Sequence, residues 1–151
     1  MHEATWSLEA VHDGYLRPFG VLHRRSVSRV APGHLRIVDR LTGGPHLPVT
    51  SRLQLAPGLG LEEEPSGWLV LLDGSPILRV RASPEMERRA RHGDGVAPAG
   101  WVSGGFLRLS PAFQLEVSGE LGPGRSLTVD IMHAGIEWPQ GGEARDPVGR
   151  R

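Results

Sequence analysis

The densest group of side chains that could do chemistry lies near the N-terminus, in two short runs. The first run is His12-Asp13-Gly14-Tyr15 and the second is His23-Arg24-Arg25. A strand that ends at the first run and a return strand that begins at the second would bring imidazoles, a phenol and guanidiniums together. Arg could bind a carboxylate or sulfate, and His or Tyr could move a proton. Such a set would suit an anionic sugar.

Two other interpretations of these runs stay open. His12, Asp13 and His23 could hold a metal ion. Alternatively, Gly14 makes a turn whose polar groups bind the backbone, and Tyr15 lies over the sheet. We assign no catalytic residue, no metal ligand and no cofactor. The residues kept as substrate-binding candidates are His12, Tyr15, His23, Arg24 and Trp101.

The four Trp residues are candidates for a platform on which sugar rings stack. Trp6 and Trp68 lie in apolar strand patterns, which favours core packing. Trp101 and Trp138 lie among Gly and Pro, which favours the surface. Trp101 and Trp138 are therefore the better Trp candidates for binding a glycan, and Trp101 is kept among the site residues.

Composition excludes several classes of protein. The chain has 151 residues with 17 basic and 17 acidic side chains, so it lacks the basic excess of a nucleic-acid binder. It contains no Cys, which excludes disulfides and thiolate metal sites. No apolar run is long enough to span a membrane, and the first residues do not look like a signal peptide. The compartment stays undetermined.

Period-two alternation of apolar and polar residues recurs along the chain and predicts strands with one buried face. Turn residues punctuate these strands, in keeping with 21 Gly and 13 Pro. We predict an all-β fold, an antiparallel β-sandwich of about nine to ten short strands with little or no helix. Residues 1–134 form the sandwich, and 135–151 form an irregular, frayed tail.

Three segments give sharper expectations. The run Trp68–Leu72 is apolar on both faces and predicts a central strand covered on both sides. Pro48 interrupts a strand pattern, which predicts an edge strand or a bulge. Residues 83–93 fit either a helix or a strand, and their neighbours favour a strand.

The hairpin at 21–41 can be predicted in register. A three-residue loop, Ala31-Pro32-Gly33, makes the numbers of paired residues sum to 64. Val27 then faces Ile37, and Arg25 faces Asp39 on the apolar side. Because an unpaired carboxylate would be costly there, the sequence predicts a partly buried Arg25–Asp39 pair.

At this cluster the sequence resembles the C-terminal part of heparinase II/III-like polysaccharide lyases. The resemblance is an ordered series of segments over roughly residues 4–132 and not one short motif. The segments that carry it are Trp6 with His12-Asp13-Gly14-Tyr15, His23 to Val27, Leu35 to Gly43, Gly100 to Ser103, Ser110 to Phe113 and Leu127–Ile131.

The resemblance implies an N-terminal α/α toroid followed by an antiparallel β-sandwich. It also implies β-elimination of uronic-acid-containing polysaccharides such as glycosaminoglycans, with a base, a Tyr or His acid and often a divalent metal. This sequence lacks the toroid and the family's catalytic and metal-binding motifs, and it contains no Asn. We expect the chain to be bacterial. The resemblance therefore transfers no catalytic residue and no metal ligand.

Two functions follow from these observations. The chain is a non-catalytic sandwich portion of such a lyase, or it is a free-standing carbohydrate-binding module. A small enzyme that uses His12, Tyr15 and His23 is a third, weaker alternative. The expected partners are an acidic polysaccharide and a toroid or another chain, with no nucleic acid and no membrane. A sandwich without its first strands should expose an edge and apolar surface, so the isolated chain should aggregate or pair with another chain.

Overall fold

The fold is built from short antiparallel strands. The computed structural model describes residues 5–93, 95, 99–106 and 108–136. Within these residues the prediction of an all-β fold is confirmed, with 12 strands in place of nine or ten and one short helix, α1 (Leu16–Phe19). This helix is far too short to cross a membrane, and the described residues contain no longer one. The strands are β1 (Trp6–His12), β2 (Leu22–Ala31), β3 (His34–Thr42), β4 (Leu47–Gln54), β5 (Gly60–Glu64), β6 (Gly67–Leu72), β7 (Ser75–Ala82), β8 (Glu87–His92), β9 (Trp101–Gly105), β10 (Arg108–Pro111), β11 (Phe113–Leu121) and β12 (Ser126–His133).

Two layers of very different width form the sandwich. The large sheet has the order β1-β2-β3-β12-β7-β6-β5, and the small sheet has the order β4-β11-β8. Strands β9 and β10 form a separate two-stranded sheet. Since seven strands face three, the small sheet cannot cover the whole inner face of the large one.

The core lies between these two sheets. Leu115 and Val117 of the small sheet are fully buried, as are Leu127 and Val129 of the large sheet, and all four belong to one apolar cluster. Within β11 and β12, alternate residues supply this cluster, as the period-two pattern predicts. Trp68 fills the cluster from β6 and is 2% exposed, so its predicted core position is confirmed.

The hairpin of β2 and β3 has the predicted register but a different turn. Residue pairs from Leu22↔Thr42 to Arg29↔Leu35 sum to 64, as predicted. The three-residue loop is wrong, because Ala31 pairs with His34 and the turn is Pro32-Gly33 alone. Val30 is left over as a bulge that restores the register.

Strand β4 is an edge strand of the small sheet, as Pro48 predicts. Among the described residues β4 pairs with β11 alone, without a register shift. The N–H of Leu55 donates to the carbonyl of Phe113 at 2.8 Å at the end of this ladder. Antiparallel hydrogen bonding alternates, so the backbone groups of Pro48, Thr50 and Arg52 point away from β11. Proline has no backbone N–H, but at position 48 the pairing with β11 does not require one.

The structure bears differently on four other expectations. Residues 87–92 of the ambiguous segment form a strand, as the neighbouring strands favoured. Strand β6 is an interior strand, but it lies next to edge strand β5 and not at the centre of the sheet. Leu72 at its end is exposed, so the expectation that Trp68–Leu72 is covered on both faces is wrong for that residue. The core position predicted for Trp6 is wrong, since Trp6 is 48% exposed on edge strand β1. Of the predicted irregular tail, residues 137–151 lie outside the described residues, as does Trp138.

Candidate functional site

An open cavity of about 370 Å³ lies between α1, the start of β2 and the edge strand β4. One wall carries aromatic rings, the floor carries charged groups, and the opposite wall is the backbone and side chains of β4. The lining residues are Tyr15, Phe19, Val21, His23, Arg25, Asp39, Leu41, Leu47, Pro48, Val49, Thr50 and Arg52.

The aromatic wall depends on the short helix α1. Its four residues turn the chain between β1 and β2, and Gly20 ends it in the left-handed conformation with φ of 72°. The Tyr15 ring lies 5.4 Å from the His12 ring and 6.4 Å from the His23 ring, between ring centroids. Phe19 extends the group, with its ring centroid 6.4 Å from that of Tyr15.

The charged floor is organised around the carboxylate of Asp39, which is 1% exposed. Arg25 donates to it twice, from Nε to Oδ1 at 2.7 Å and from Nη2 to Oδ2 at 2.8 Å. The Nε2 atom of His23 is 2.8 Å from Oδ1. The Arg25–Asp39 pair predicted from the hairpin register is therefore present, and His23 joins it.

The two sheets also meet through this cluster. Arg25 Nη2 donates to Ser51 Oγ of β4 at 2.9 Å, and Ser51 is itself buried. Burial alone would raise the pKa of Asp39, but the hydrogen bonds from Arg25 and His23 outweigh it and hold that pKa below its usual value. The hydrogen bond to Asp39 likewise raises the pKa of Arg25. Asp39 thus remains a carboxylate that anchors two strands.

The predicted binding residues do not all come together. His12, Tyr15 and His23 are neighbours, and His12 Nδ1 accepts a hydrogen bond from the Gly14 N–H, as in the alternative that treated this run as a turn. Arg24 lies on the opposite face of β2 from Arg25 and pairs with Glu9 at 2.8 Å. Trp101 begins β9 in the separate two-stranded sheet and does not line the cavity. Among the described residues, no cluster of three or more His, Asp or Glu side chains is placed to hold a metal ion. The alternative of a metal site at His12, Asp13 and His23 therefore finds no support.

Sequence reasoning missed the β4 wall and a second polar cluster. On the outer face of the large sheet, Asp130 lies 2.6 Å from His34 Nε2 and accepts from Arg36 Nε at 2.8 Å. Both clusters have the same pattern. In each, a His and an Arg lie two residues apart on one strand, and both side chains bind the same Asp on the neighbouring strand. The repeat of His-x-Arg at 23–25 and 34–36 is the signal that could have revealed the second cluster.

Comparisons with known proteins agree with this architecture. The chain matches the heparinase II/III-like, C-terminal family model over residues 1–141. It is similar to the heparan sulfate lyase HepC from Pedobacter heparinus, with 14% identity and a TM-score of 0.67 over 88% of this chain. It is also similar to the heparinase III-BT4657 gene product, with 17% identity and a TM-score of 0.64 over 87% of this chain.

The chain spans 20% of the length of each of these two solved proteins. At such low identity the structural likeness shows the fold alone, whereas the family model covers most of the sequence. No curated protein matches the chain. The chain belongs to the heparinase II/III-like C-terminal family.

Proposed function

We propose that this chain is the non-catalytic β-sandwich portion of a lyase that cleaves uronic-acid-containing polysaccharides. The observation that carries the proposal is how much of each chain the structural match covers. The structural match covers 88% of this chain but only 20% of the heparan sulfate lyase that it resembles. In this proposal, residues 1–134 form the folded unit, and the chemistry belongs to other parts of such an enzyme.

The bonding of the polar cluster supports a structural role. The carboxylate of Asp39 is hydrogen-bonded to Arg25 and His23, and Arg25 also donates to Ser51 of the other sheet. These bonds join β2, β3 and β4, so they stabilise the sandwich where its small sheet ends. A general base would instead keep a polar atom within reach of a bound substrate.

The proposal is tested by mixing the purified chain with heparan sulfate and following the absorbance of the unsaturated uronate product. We expect no product, while the heparan sulfate lyase HepC serves as the positive control. Steady product formation by the chain alone would contradict a non-catalytic role.

A second candidate function is carbohydrate binding, and the aromatic wall favours it. Tyr15 and Phe19 are both about half exposed and lie beside the cationic side chain of Arg25 in the cavity. Rings and guanidiniums are the groups that would stack on a sugar and bind its carboxylate. Calorimetric titration with heparan sulfate oligosaccharides tests this candidate. Binding that weakens in Tyr15→Ala and not in Trp101→Ala would assign the glycan to the cavity, whereas unchanged binding in Tyr15→Ala would contradict this candidate.

A further inference from the structure

Asp13-Gly14 is one of three Asp-Gly sequences in the chain. The others are Asp73-Gly74 and Asp94-Gly95, of which Asp94 lies outside the described residues. In such a sequence the amide nitrogen of the glycine can attack the carboxyl carbon of the aspartate, because glycine has no side chain to hinder the attack. The product is a succinimide, which water opens to aspartate or isoaspartate. The surroundings of each pair therefore decide which pair reacts.

An imidazole lies against the reacting amide of the Asp13-Gly14 pair. The Nδ1 atom of His12 accepts a hydrogen bond from the Gly14 N–H at 3.3 Å. A Cβ atom at position 14 would collide with the His12 ring, so glycine permits this approach. Because Nδ1 is the acceptor, a neutral His12 ring carries its proton on Nε2, and the lone pair on Nδ1 can take the amide proton. All three residues are exposed, so water reaches the pair.

A second His-x-Gly turn in this fold has the same geometry without the aspartate. His133 ends β12 as His12 ends β1, and its Nδ1 atom accepts from the Gly135 N–H at 3.3 Å. The middle residue of this turn is Ala134. Because alanine has no carboxyl group, this turn cannot form a succinimide. Asp13 therefore adds an electrophile to a turn in which the backbone already holds a base beside the glycine amide.

The Asp73-Gly74 pair has different surroundings. It forms the two-residue turn between β6 and β7, with φ of 51° and 76°, and the flanking residues Leu72 and Ser75 pair with each other. Ring closure requires the aspartate backbone to leave the left-handed conformation, and the paired strands oppose that change. A Cβ atom at Gly74 would meet nothing within 4 Å, so no imidazole lies against this glycine as one does at Asp13-Gly14.

We propose that Asp13 forms isoaspartate in the folded chain, with His12 as the base. His12 Nδ1 takes the amide proton of Gly14 as the nitrogen bonds to Cγ of the protonated Asp13 carboxyl group. The hydroxyl of that carboxyl group then leaves as water with the proton from His12, which closes the succinimide. A second water opens the ring at the main-chain carbonyl, so the backbone continues through Cβ and Cγ of Asp13. One water is released and one is consumed.

The modification falls at the start of the aromatic wall. Isoaspartate adds one methylene group to the main chain between His12 and Tyr15, whose ring centroids lie 5.4 Å apart. This inference goes beyond the proposed function and does not depend on it, because it concerns the covalent chemistry of the chain itself. A failed cleavage or glycan experiment leaves the modification site intact, and a failed isomerisation experiment leaves both functions intact.

The test compares two Asp-Gly pairs within the same molecule. The full chain is incubated at neutral pH for several weeks and digested with trypsin, which cuts after Arg residues that lie between the pairs. Isoaspartate is identified by its chromatographic shift and by electron-transfer fragmentation. We expect it to accumulate at Asp13 at least about tenfold faster than at Asp73. Equal rates at the two sites would overturn the proposal.

Matched asparagine variants test the base. His12→Asn keeps an acceptor for the Gly14 N–H, since an Asn side chain hydrogen-bonds the backbone two residues on, but it cannot take the proton. We expect the rate at Asp13 to fall at least about tenfold. His133→Asn makes the same change in the turn that lacks an aspartate and should leave that rate unchanged. An unaltered rate in His12→Asn, or an equal fall in both variants, would contradict the assignment of His12.

Denaturation separates the effect of the folded turns from that of the local sequence. In urea the contact of His12 with Gly14 and the paired turn at Asp73 are both lost, so the two rates should become similar. A ratio of rates that persists in urea would assign the difference to the neighbouring sequence and would overturn the proposal. This comparison uses the wild-type chain, so it remains decisive if His12→Asn fails to fold.

Discussion

Arg25 and Ser51 join the two sheets of the sandwich by a hydrogen bond of 2.9 Å at the cavity. The same guanidinium holds Asp39 with two further bonds, so one side chain connects three strands. This relationship makes Arg25 the centre of the polar cluster.

Ser51→Ala should destabilise the chain by about 1 kcal/mol. The substitution removes the hydroxyl that accepts from Arg25, and a bond to a charged donor at a buried site stabilises more than one at the surface. Urea denaturation measures the change. Ser118→Ala is the matched control, because the Ser118 hydroxyl bonds to Thr50 in an exposed position. Equal losses in the two variants would show that the link between the sheets contributes no more than an exposed hydrogen bond.

The stability that Asp39 contributes should depend on pH in the acid range. Its pKa in the folded chain is held below the usual value, so unfolding raises it and the carboxylate stabilises the fold above about pH 4. This contribution is lost as the pH falls through the lowered pKa. The difference in unfolding free energy between the wild-type chain and Asp39→Asn should therefore be constant from about pH 7 to 5 and shrink below about pH 4. A difference that grows on acidification would contradict the assignment.

Asp130→Asn should destabilise the fold independently of Asp39. Asp130 accepts from Arg36 and lies within hydrogen-bond distance of His34 on the outer face of the large sheet. Asp39 lies on the inner face, so the two carboxylates share no partner. We expect a loss of about 2 kcal/mol and additivity with Asp39→Asn within about 0.5 kcal/mol. A double variant that is much more stable than this sum would show that the clusters are coupled.

Gly67→Ala should destabilise the large sheet by about 3 kcal/mol. A Cβ atom at Gly67 would collide with the carbonyl oxygen of Val80 and lie 2.9 Å from the Arg81 Cα, and this backbone cannot move without breaking the β6–β7 pairing. Gly104→Ala serves as the control, since a Cβ there meets nothing within 4 Å. The melting temperature of each variant measures the effect. Similar melting temperatures would contradict the close approach of β6 and β7.

Local sequence patterns predict the strands and the register of the hairpin, because side chains alternate between the two faces of a sheet. The register of the hairpin followed from placing Val27 opposite Ile37, because a shift by one residue would have moved every apolar side chain to the wrong face. The bulge at Val30 could not be predicted, since the two-residue turn Pro32-Gly33 and the longer loop place the later pairs alike. Trp6 was assigned to the core because periodicity identifies a face but does not show whether another layer covers it.

The candidate site was less predictable, because its walls come from distant segments. His12, Tyr15 and His23 lie close together in sequence and were found by that proximity. Ser51 and Arg52 reach the cavity through the packing of one sheet on the other, which no local pattern encodes. His34 and Asp130 are 96 residues apart, and only the pairing of β3 with β12 brings them together.

We propose that the polar cluster of Arg25, Asp39 and His23 stabilises the fold and takes no part in catalysis. The most direct measurement is the unfolding free energy of Asp39→Asn beside that of Asp73→Asn, at neutral pH. Asp73 has a φ of 51° in a turn, and Asn tolerates that conformation, which makes it a fair surface control. We expect a loss of about 2–4 kcal/mol for Asp39→Asn and less than about 0.5 kcal/mol for Asp73→Asn. Unchanged or increased stability in Asp39→Asn would contradict a structural role for the cluster. A residue that is kept for function at the cost of stability behaves in that way.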